Sequence, residues 1–334
     1  MLVVFMFALS ALYDLLKPKP FRLRNQFIYF LSGLPVIFIV FVLSVIGMRG
    51  GWRHSTRPIN MNNAGAFVQA PEEMAIVQNT PFCIFRTWGK KAFVHKKYFA
   101  SEEELNRIYS PVHIPQSVEP PKKDNVVIII LESFSRAFVG SLNPQLTDPR
   151  DRSYTPFLDS LIHESLVFTN AFANGRKSID AIPSVTASIP ALVLPYVISE
   201  RSGNAINSIA SLLSPQGYQT AFFHGAPNGS MGFDAFTKIA GFQRYVGKNE
   251  YGIEADFDGI WGVWDEPFFQ FFAHEMNKMQ EPFATTLFSV SSHHPYEIPA
   301  KYKGKFPEGR IPLNKCIRYT DHSLQKFFDT ARKM

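Results

Sequence analysis

The stretch 125-NVVIIILESF-134 decides how this chain folds. Five β-branched residues in a row, Val126 to Ile130, followed by Leu131, predict a central strand that is apolar on both faces. The run drives straight into Glu132. A carboxylate closing a buried strand is costly unless water or a positive charge meets it. Glu132 is therefore either solvated at the rim of a sheet or set against a cation.

Working outward from this strand, residues after Pro121 alternate between strand and helix patterns. Strands are expected at 125–131, 165–171, 218–223 and 284–290, and helices at 155–163, 204–214, 265–279 and 312–332. This alternation predicts an α/β fold, a mostly parallel sheet with helices on both faces. Sites in such sheets form beyond the carboxyl ends of the strands, which is where Glu132 falls.

The amino-terminal fifth reads differently. Residues 27-FIYFLSGLPVIFIVFVLSVIG-47 run for 21 positions without a charge, enough to cross a bilayer as a helix kinked at Pro35. The shorter apolar segment 2-LVVFMFALSALYDLL-16 is expected to be a second membrane helix whose beginning is missing. Between them, Lys17, Lys19, Arg22 and Arg24 put the loop on the cytoplasmic side and deliver everything after residue 48 to the outside. Residues 1–48 are thus transmembrane, 49–120 a juxtamembrane and Pro-rich linker, and 121–334 the α/β domain. Within the linker, 101-SEEELNRIY-109 predicts a short helix with a Ser101–Glu104 capping box.

Composition narrows the function. The formal charge of +6 on 334 residues is modest and no long basic tract occurs, so nucleic acid is not an expected partner. Cys83 and Cys316 form no C-x-x-C motif and offer no zinc spacing. No serine sits in a G-x-S-x-G elbow.

Three further stretches carry candidate chemistry. In 171-AFANGRKSIDAIPSVTASIPAL-192, a strand is expected to end near Phe172, and Ser178 opens a helix beside Arg176 and Lys177. A hydroxyl there faces free backbone N–H groups and the positive end of the helix dipole, a setting for phosphate or sulfate; Ser178 can equally be a simple N-cap. In 284-ATTLFSVSSHHPYEIP-299, His293 and His294 follow a strand and can bind metal or anion or close a turn. In 220-TAFFHGAPNG-229, His224 again ends an apolar strand. These ends can converge along one rim. The aromatic-rich 256-DFDGIWGVWDEPFFQFF-272 lines a substrate cleft or, the reading favoured here, packs Trp261 and Trp264 beside a helix starting near Asp265.

Together, 126-VVIIILES-133, 154-YTPFLDSL-161, 175-GRKS-178, 222-FFHG-225 and 291-SSHHPY-296 resemble, in order and spacing, the lipoteichoic acid synthase type of membrane phosphotransferase, within the alkaline phosphatase and sulfatase superfamily. The resemblance spans roughly residues 120–330. It implies one divalent ion, manganese or magnesium, held by Glu132 and Ser178, with Ser178 as nucleophile and His293, His224 and Lys177 against the substrate. The implied reaction moves a phospholipid headgroup through a covalent Ser178 intermediate to an acceptor hydroxyl or water. The implied partners are a membrane phospholipid or surface glycopolymer and the bilayer itself, with the catalytic domain outside a bacterial cytoplasmic membrane. The alternatives are a sulfuric ester hydrolase of the same fold, or a catalytically inactive surface-binding protein.

The chain departs from the family pattern at two places. Asp321 and His322 fall inside an amphipathic helix with Ile317, Leu324 and Phe328, and are expected to hold no metal; the chain then stops before the strand that carries the family's Asp-His pair, implying truncation at both ends. At 228-NGSMGFDAF-236, Met231 and Phe233 replace the family's Trp and Arg, which leaves the transferred headgroup open. The segment beginning Ser178-Ile179-Asp180 lacks the C-x-P-x-R pattern of ordinary sulfatases.

Overall fold

The structure is a computed structural model that describes residues 2–17, 26–49, 52, 61–68, 71–89, 96–110, 112–114, 116, 122–145, 153–191 and 194–334. It divides into two compact units, Met1–Pro58 and Ile59–Met334. The first contains α1 (Leu2–Leu16) and α2 (Gln26–Arg49). Among the described residues α2 alone is long and apolar enough to cross a bilayer; α1 has only 15 residues, so a second spanning helix is not borne out. Pro35 lies inside α2, and apolar side chains such as Phe38 and Phe41 are exposed along it. Most of the basic loop and of the exit segment 50–58 lie outside the described residues, as does part of the Pro-rich linker.

In the second unit, a short helix at Glu102–Ile108 has Ser101 as its cap, as expected. The Ser101 hydroxyl accepts from the Glu104 N–H, while Glu104 reaches one residue further back, to the Ala100 N–H at 2.8 Å. The domain proper runs β1 (Val126–Ile130), α3 (Pro156–Ile162), α4 (Ser178–Ala187), α5 (Ile209–Leu213), β2 (Gln219–His224), α6 (Phe233–Ile239), β3 (Arg244–Val246), α7 (Asp265–Met276), β4 (Phe283–Phe288) and α8 (Leu313–Ala331), with short helical turns between. The four strands of the described sheet are all parallel, in the order β1-β4-β2-β3, so β1 is an edge strand and not the central one expected: it pairs on one side only, with β4, and Val127 is 38% exposed.

Side chains alternate across each strand, so each face has its own core. On one face Ile130, Phe222 and Phe288 meet Ile179 and Ile182 of α4, Ala210 of α5 and Phe233 and Phe236 of α6. On the other, Ile129, Phe223 and Leu287 meet Phe268, Phe269 and Phe272 of α7 and Leu324 and Phe327 of α8. Phe272 stacks on Phe327 at 5.3 Å and meets Phe223 edge-on at 4.7 Å. Each such ring taken out of water contributes about 1.5–3 kcal/mol. Helices on both faces of a parallel sheet are therefore as expected.

The expected strand at 165–171, ending near Phe172, is not formed. Its alternating apolar residues, Leu166 and Phe168, are 84% and 75% exposed, and strand propensity without a neighbour to pair with does not make a ladder. Arg136 instead fixes this segment, donating to the Thr169 carbonyl at 2.9 Å. The helix expected at 204–214 starts only at Ile209, because Ser208 and Ser211 form a reciprocal capping box. The one expected at 265–279 ends at Met276. Strand β3, three residues long, gave no periodic signal. Both cysteines are free thiols, and burial pushes that of Cys316 up to about 12.

Candidate active site

Register builds the rim. Phe288 of β4 pairs with Ile130 of β1 on one side and with His224 of β2 on the other, so three strand ends finish level with one another. Glu132 lies two residues past Ile130, and only 7% of it is exposed. Its backbone N–H donates to the Ser289 hydroxyl at 2.7 Å, and Ser289 in turn donates its N–H to the Ile130 carbonyl. Ser133, turned into the left-handed region at φ 61°, donates its hydroxyl to Glu132 Oε1 at 2.9 Å. A non-glycine residue held there stores strain, and such residues gather at functional sites.

His293 Nε2 stands 3.6 Å from the same Oε1. His293 Nδ1 lies 3.0 Å from the Val290 carbonyl, which can only accept, so Nδ1 carries the proton and Nε2 faces Glu132. His224 follows the same logic. Its Nδ1 donates to the Phe288 carbonyl at 3.2 Å, its ring lies flat on Phe288 and edge-on to Phe233, and its buried Nε2 has no protein partner. Burial pushes this imidazole down to about 4, against the Phe288 hydrogen bond and helped by nearby His293, so it is neutral at pH 7.

Ser178 is the first residue of α4, and Lys177 occupies the cap position without capping through its side chain. The N-cap reading of Ser178 is thereby corrected: its hydroxyl makes no hydrogen bond among the described residues. The helix packs through Ile179 and Ile182 on the face that carries Ile130 and Phe288. Asp180 in its first turn is buried with Oδ1 unpartnered, and a Cβ on Gly175 would come within 2.6 Å of it, so only glycine admits this approach. Glu132 and His293 meet directly, with His224 nearby; Ser178 and Lys177 make no hydrogen bond or ion pair with them.

The Asp-His pair of α8 does other work. Asp321 is fully buried, and its two oxygens accept from the Leu158 and Phe157 N–H groups at 2.9 and 3.0 Å, capping α3 from a distance. His322 Nε2 lies 3.2 Å from the Tyr302 hydroxyl. Among the described residues no three carboxylate, imidazole or thiol groups gather to hold a metal.

Two residues reach the rim in ways that the sequence reading, which made Asp265 a helix start and favoured packing for Trp261, did not give them. Asp265 Oδ1 accepts from the Val290 and Ser291 N–H groups at 2.8 and 3.2 Å, and Oδ2 accepts from Thr320 at 2.6 Å, which shapes the loop that carries His293. Trp261 stacks on His293, with ring centroids 4.6 Å apart, rather than packing beside α7 alone. The Asp-Glu pair before the Phe run gives a helix-start signal for Asp265; nothing local signals the Trp261–His293 contact.

Comparison with known proteins bears on this geometry. Residues 124–334 match the Sulfatase family. The chain is 23% identical over 259 residues to lipoteichoic acid synthase-like YvgJ of Bacillus subtilis, covering 74% of this chain and 41% of that protein. It is 25% identical over 245 residues to lipoteichoic acid synthase 2 of the same organism, covering 69% and 36%. The chain thus spans about two fifths of the length of these curated relatives. Among solved structures, a protein of the alkaline phosphatase superfamily from Vibrio parahaemolyticus aligns with TM-score 0.57 at 32% identity, covering 64% of this chain and 52% of that one. The lipoteichoic acid synthase LtaP from Listeria monocytogenes aligns with TM-score 0.55 at 25% identity, covering 64% and 53%.

Proposed function

The chain belongs to the sulfatase family, with lipoteichoic acid synthases among its relatives, and from that premise we propose a membrane-anchored phosphotransferase that moves a phospholipid headgroup through Ser178. One observation carries this reading: Glu132 is a buried carboxylate with no lysine or arginine partner among the described residues. Its contacts fall on Oε1, which leaves Oε2 free to meet a cation. A carboxylate and a hydroxyl are hard oxygen donors, the set that suits manganese or magnesium, so Glu132 and Ser178 would hold such an ion by their chemistry. When bound, the ion supplies positive charge to the nucleophile and to the phosphoryl oxygens.

The residues of the chain do the rest. Ser178 Oγ attacks phosphorus, its O–P bond forming as the P–O bond to the lipid alcohol breaks, and the alcohol leaves with the proton that Ser178 gives up. The positive end of the α4 dipole and the Lys177 ammonium offset the phosphoryl charge. His293 turns Nε2 toward Glu132, where an imidazole can accept or return a proton, and the buried Nε2 of His224 has no protein partner. A second hydroxyl, from an acceptor or from water, then displaces Ser178. The apolar helix α2 supports anchoring beside a lipid substrate, with the α/β domain on the outer side of the membrane.

The test is trapping. The full chain in detergent micelles, incubated with manganese and headgroup-labelled phospholipids, should carry label on Ser178 by mass spectrometry. Ser178→Ala should abolish it, and Glu132→Ala should weaken manganese binding at least tenfold. A wild-type chain that stays unlabelled across headgroups while hydrolysing a sulfate monoester would replace this reading with sulfate ester hydrolysis.

A further inference from the structure

We infer that Trp261 is a positioning residue that locks the His293 imidazole in one orientation and one tautomer. The loop that presents it is built for rigidity. Asp258 Oδ1 accepts from three successive N–H groups, those of Ile260, Trp261 and Gly262, at 2.8, 2.7 and 3.0 Å. The Asp258 N–H donates back to the Gly262 carbonyl, and Phe257 bridges to Val263, so the loop is closed at its base. Gly259 takes the tight turn at φ +87°.

This loop is bolted to two strand ends at once. At β2, the Val263 N–H donates to the Gly225 carbonyl at 2.9 Å, directly after His224. The approach is so close that a Cβ on Gly262 would lie 2.8 Å from that carbonyl oxygen. Beyond β4, the Trp261 indole N–H donates to the His294 carbonyl at 2.5 Å while its ring lies on His293 at an interplanar angle of 20°. The indole thus grips the backbone of His294 and the face of His293, the histidine that meets Glu132.

The consequence concerns proton position. With its face covered by Trp261 and Nδ1–H on the Val290 carbonyl, the neutral ring of His293 can keep its lone pair only on Nε2, 3.6 Å from Glu132 Oε1. An imidazole free to turn over about its Cβ–Cγ bond puts Cδ2 in the place of Nδ1 and Cε1 in the place of Nε2, losing the Val290 hydrogen bond and spending part of its time with Nε2 turned away from Glu132. Fixing the ring by stacking holds the reactive nitrogen without spending a hydrogen bond on it. A catalytic group displaced by about 1 Å can lose on the order of a hundredfold in rate, so the clamp has functional weight. The catalytic part of this inference rests on the phosphotransferase reading; the structural part does not.

The experiment uses the full chain in detergent micelles, labelled with nitrogen-15 histidine, at about pH 8 where an ordinary imidazole is neutral. Long-range proton–nitrogen correlation reads each tautomer, with His293 assigned by its loss in His293→Gln. Wild type should show His293 as a single tautomer protonated at Nδ1. Trp261→Ala should mix the two tautomers and slow Ser178 labelling about 10- to 100-fold. Trp261→Phe keeps a ring on His293 without the indole donor and should restore most of both. Unchanged His224 signals show that the rim remains folded. A single Nδ1 tautomer in Trp261→Ala overturns the clamp, as does a labelling rate within twofold of wild type. If wild type never labels Ser178, the phosphotransferase reading fails, and the tautomer result still decides the clamp.

Discussion

Replacing Asp321 with alanine should unseat a helix, not a metal ion. Its two carboxylate oxygens hold the Phe157 and Leu158 N–H groups, the first donors of α3, from the far side of the domain. Each hydrogen bond to a charged group contributes about 1.5–3 kcal/mol. Burial works against this by pushing the Asp321 carboxyl above the usual carboxylate range, while the two N–H groups and Arg318 at 3.5 Å pull it back. Removing the side chain relieves that burial cost but strands two donors, so the net loss should be about 3 kcal/mol. For a domain of this size that is about 6–12 °C in melting temperature. Thermal unfolding followed by near-UV circular dichroism gives the shift, and hydrogen exchange should show protection lost first at Phe157 and Leu158. Manganese affinity, measured by calorimetry on the folded variant, should stay within twofold of wild type. A variant that melts normally but binds manganese more than tenfold more weakly would refute the capping role and return Asp321 to a metal site.

Two further outcomes follow from buried polar groups. His224 has its imidazole held near 4 against an ordinary value of 6.5, so between those values the unfolded chain binds the extra proton, and stability is lost as the pH falls through that window. The loss should reach about 3 kcal/mol at the acid end, and His224→Phe, which keeps a ring on Phe288 but cannot titrate, should show a flatter melting profile between pH 7 and pH 4. Parallel profiles for the two proteins would show that His224 is not the buried base described here. Asp265→Ala leaves the Val290 and Ser291 N–H groups and the Thr320 hydroxyl unpaired, and should cost about 3 kcal/mol while raising exchange at residues 290 and 291. Unchanged exchange there would mean that the loop carrying His293 is shaped by something else.

Much of this architecture was legible because apolar runs and the polar residues that end them are local signals. Val126 to Ile130 read as a strand, although that strand forms the edge of the sheet with Val127 exposed and not its buried centre, and Glu132 broke its pattern abruptly enough to mark the rim. His224 and His293 were found in the same way, each just past an apolar run. The same signal misled at 165–171, where Leu166 and Phe168 alternate as a strand would but have no ladder partner. What no local pattern carries is the set of contacts that gives the rim residues their orientation. Asp265 shapes a loop about 25 residues away in the chain, Asp321 caps a helix 164 residues before it, and Trp261 lies on a histidine 32 positions later (293 − 261). Each pairs groups whose own sequence surroundings are unremarkable.

The contact between Glu132 and His293 explains why the pairing of site residues could be guessed and the packing around them could not. These residues lie 161 positions apart (293 − 132), yet their side chains come within 3.6 Å. Parallel register alone accounts for that: Ile130 sits opposite Phe288, so a residue two past one strand and a residue five past the other emerge at the same edge. Any polar residue at such an end meets its counterparts, whatever the helices between them do. Whether the histidine then points its Nε2 at the carboxylate depends on the Val290 carbonyl and the Trp261 ring, neither of which the strand pattern specifies. Strand order therefore brings Glu132 and His293 together, and the irregular loops beyond the strands decide which atom each one offers.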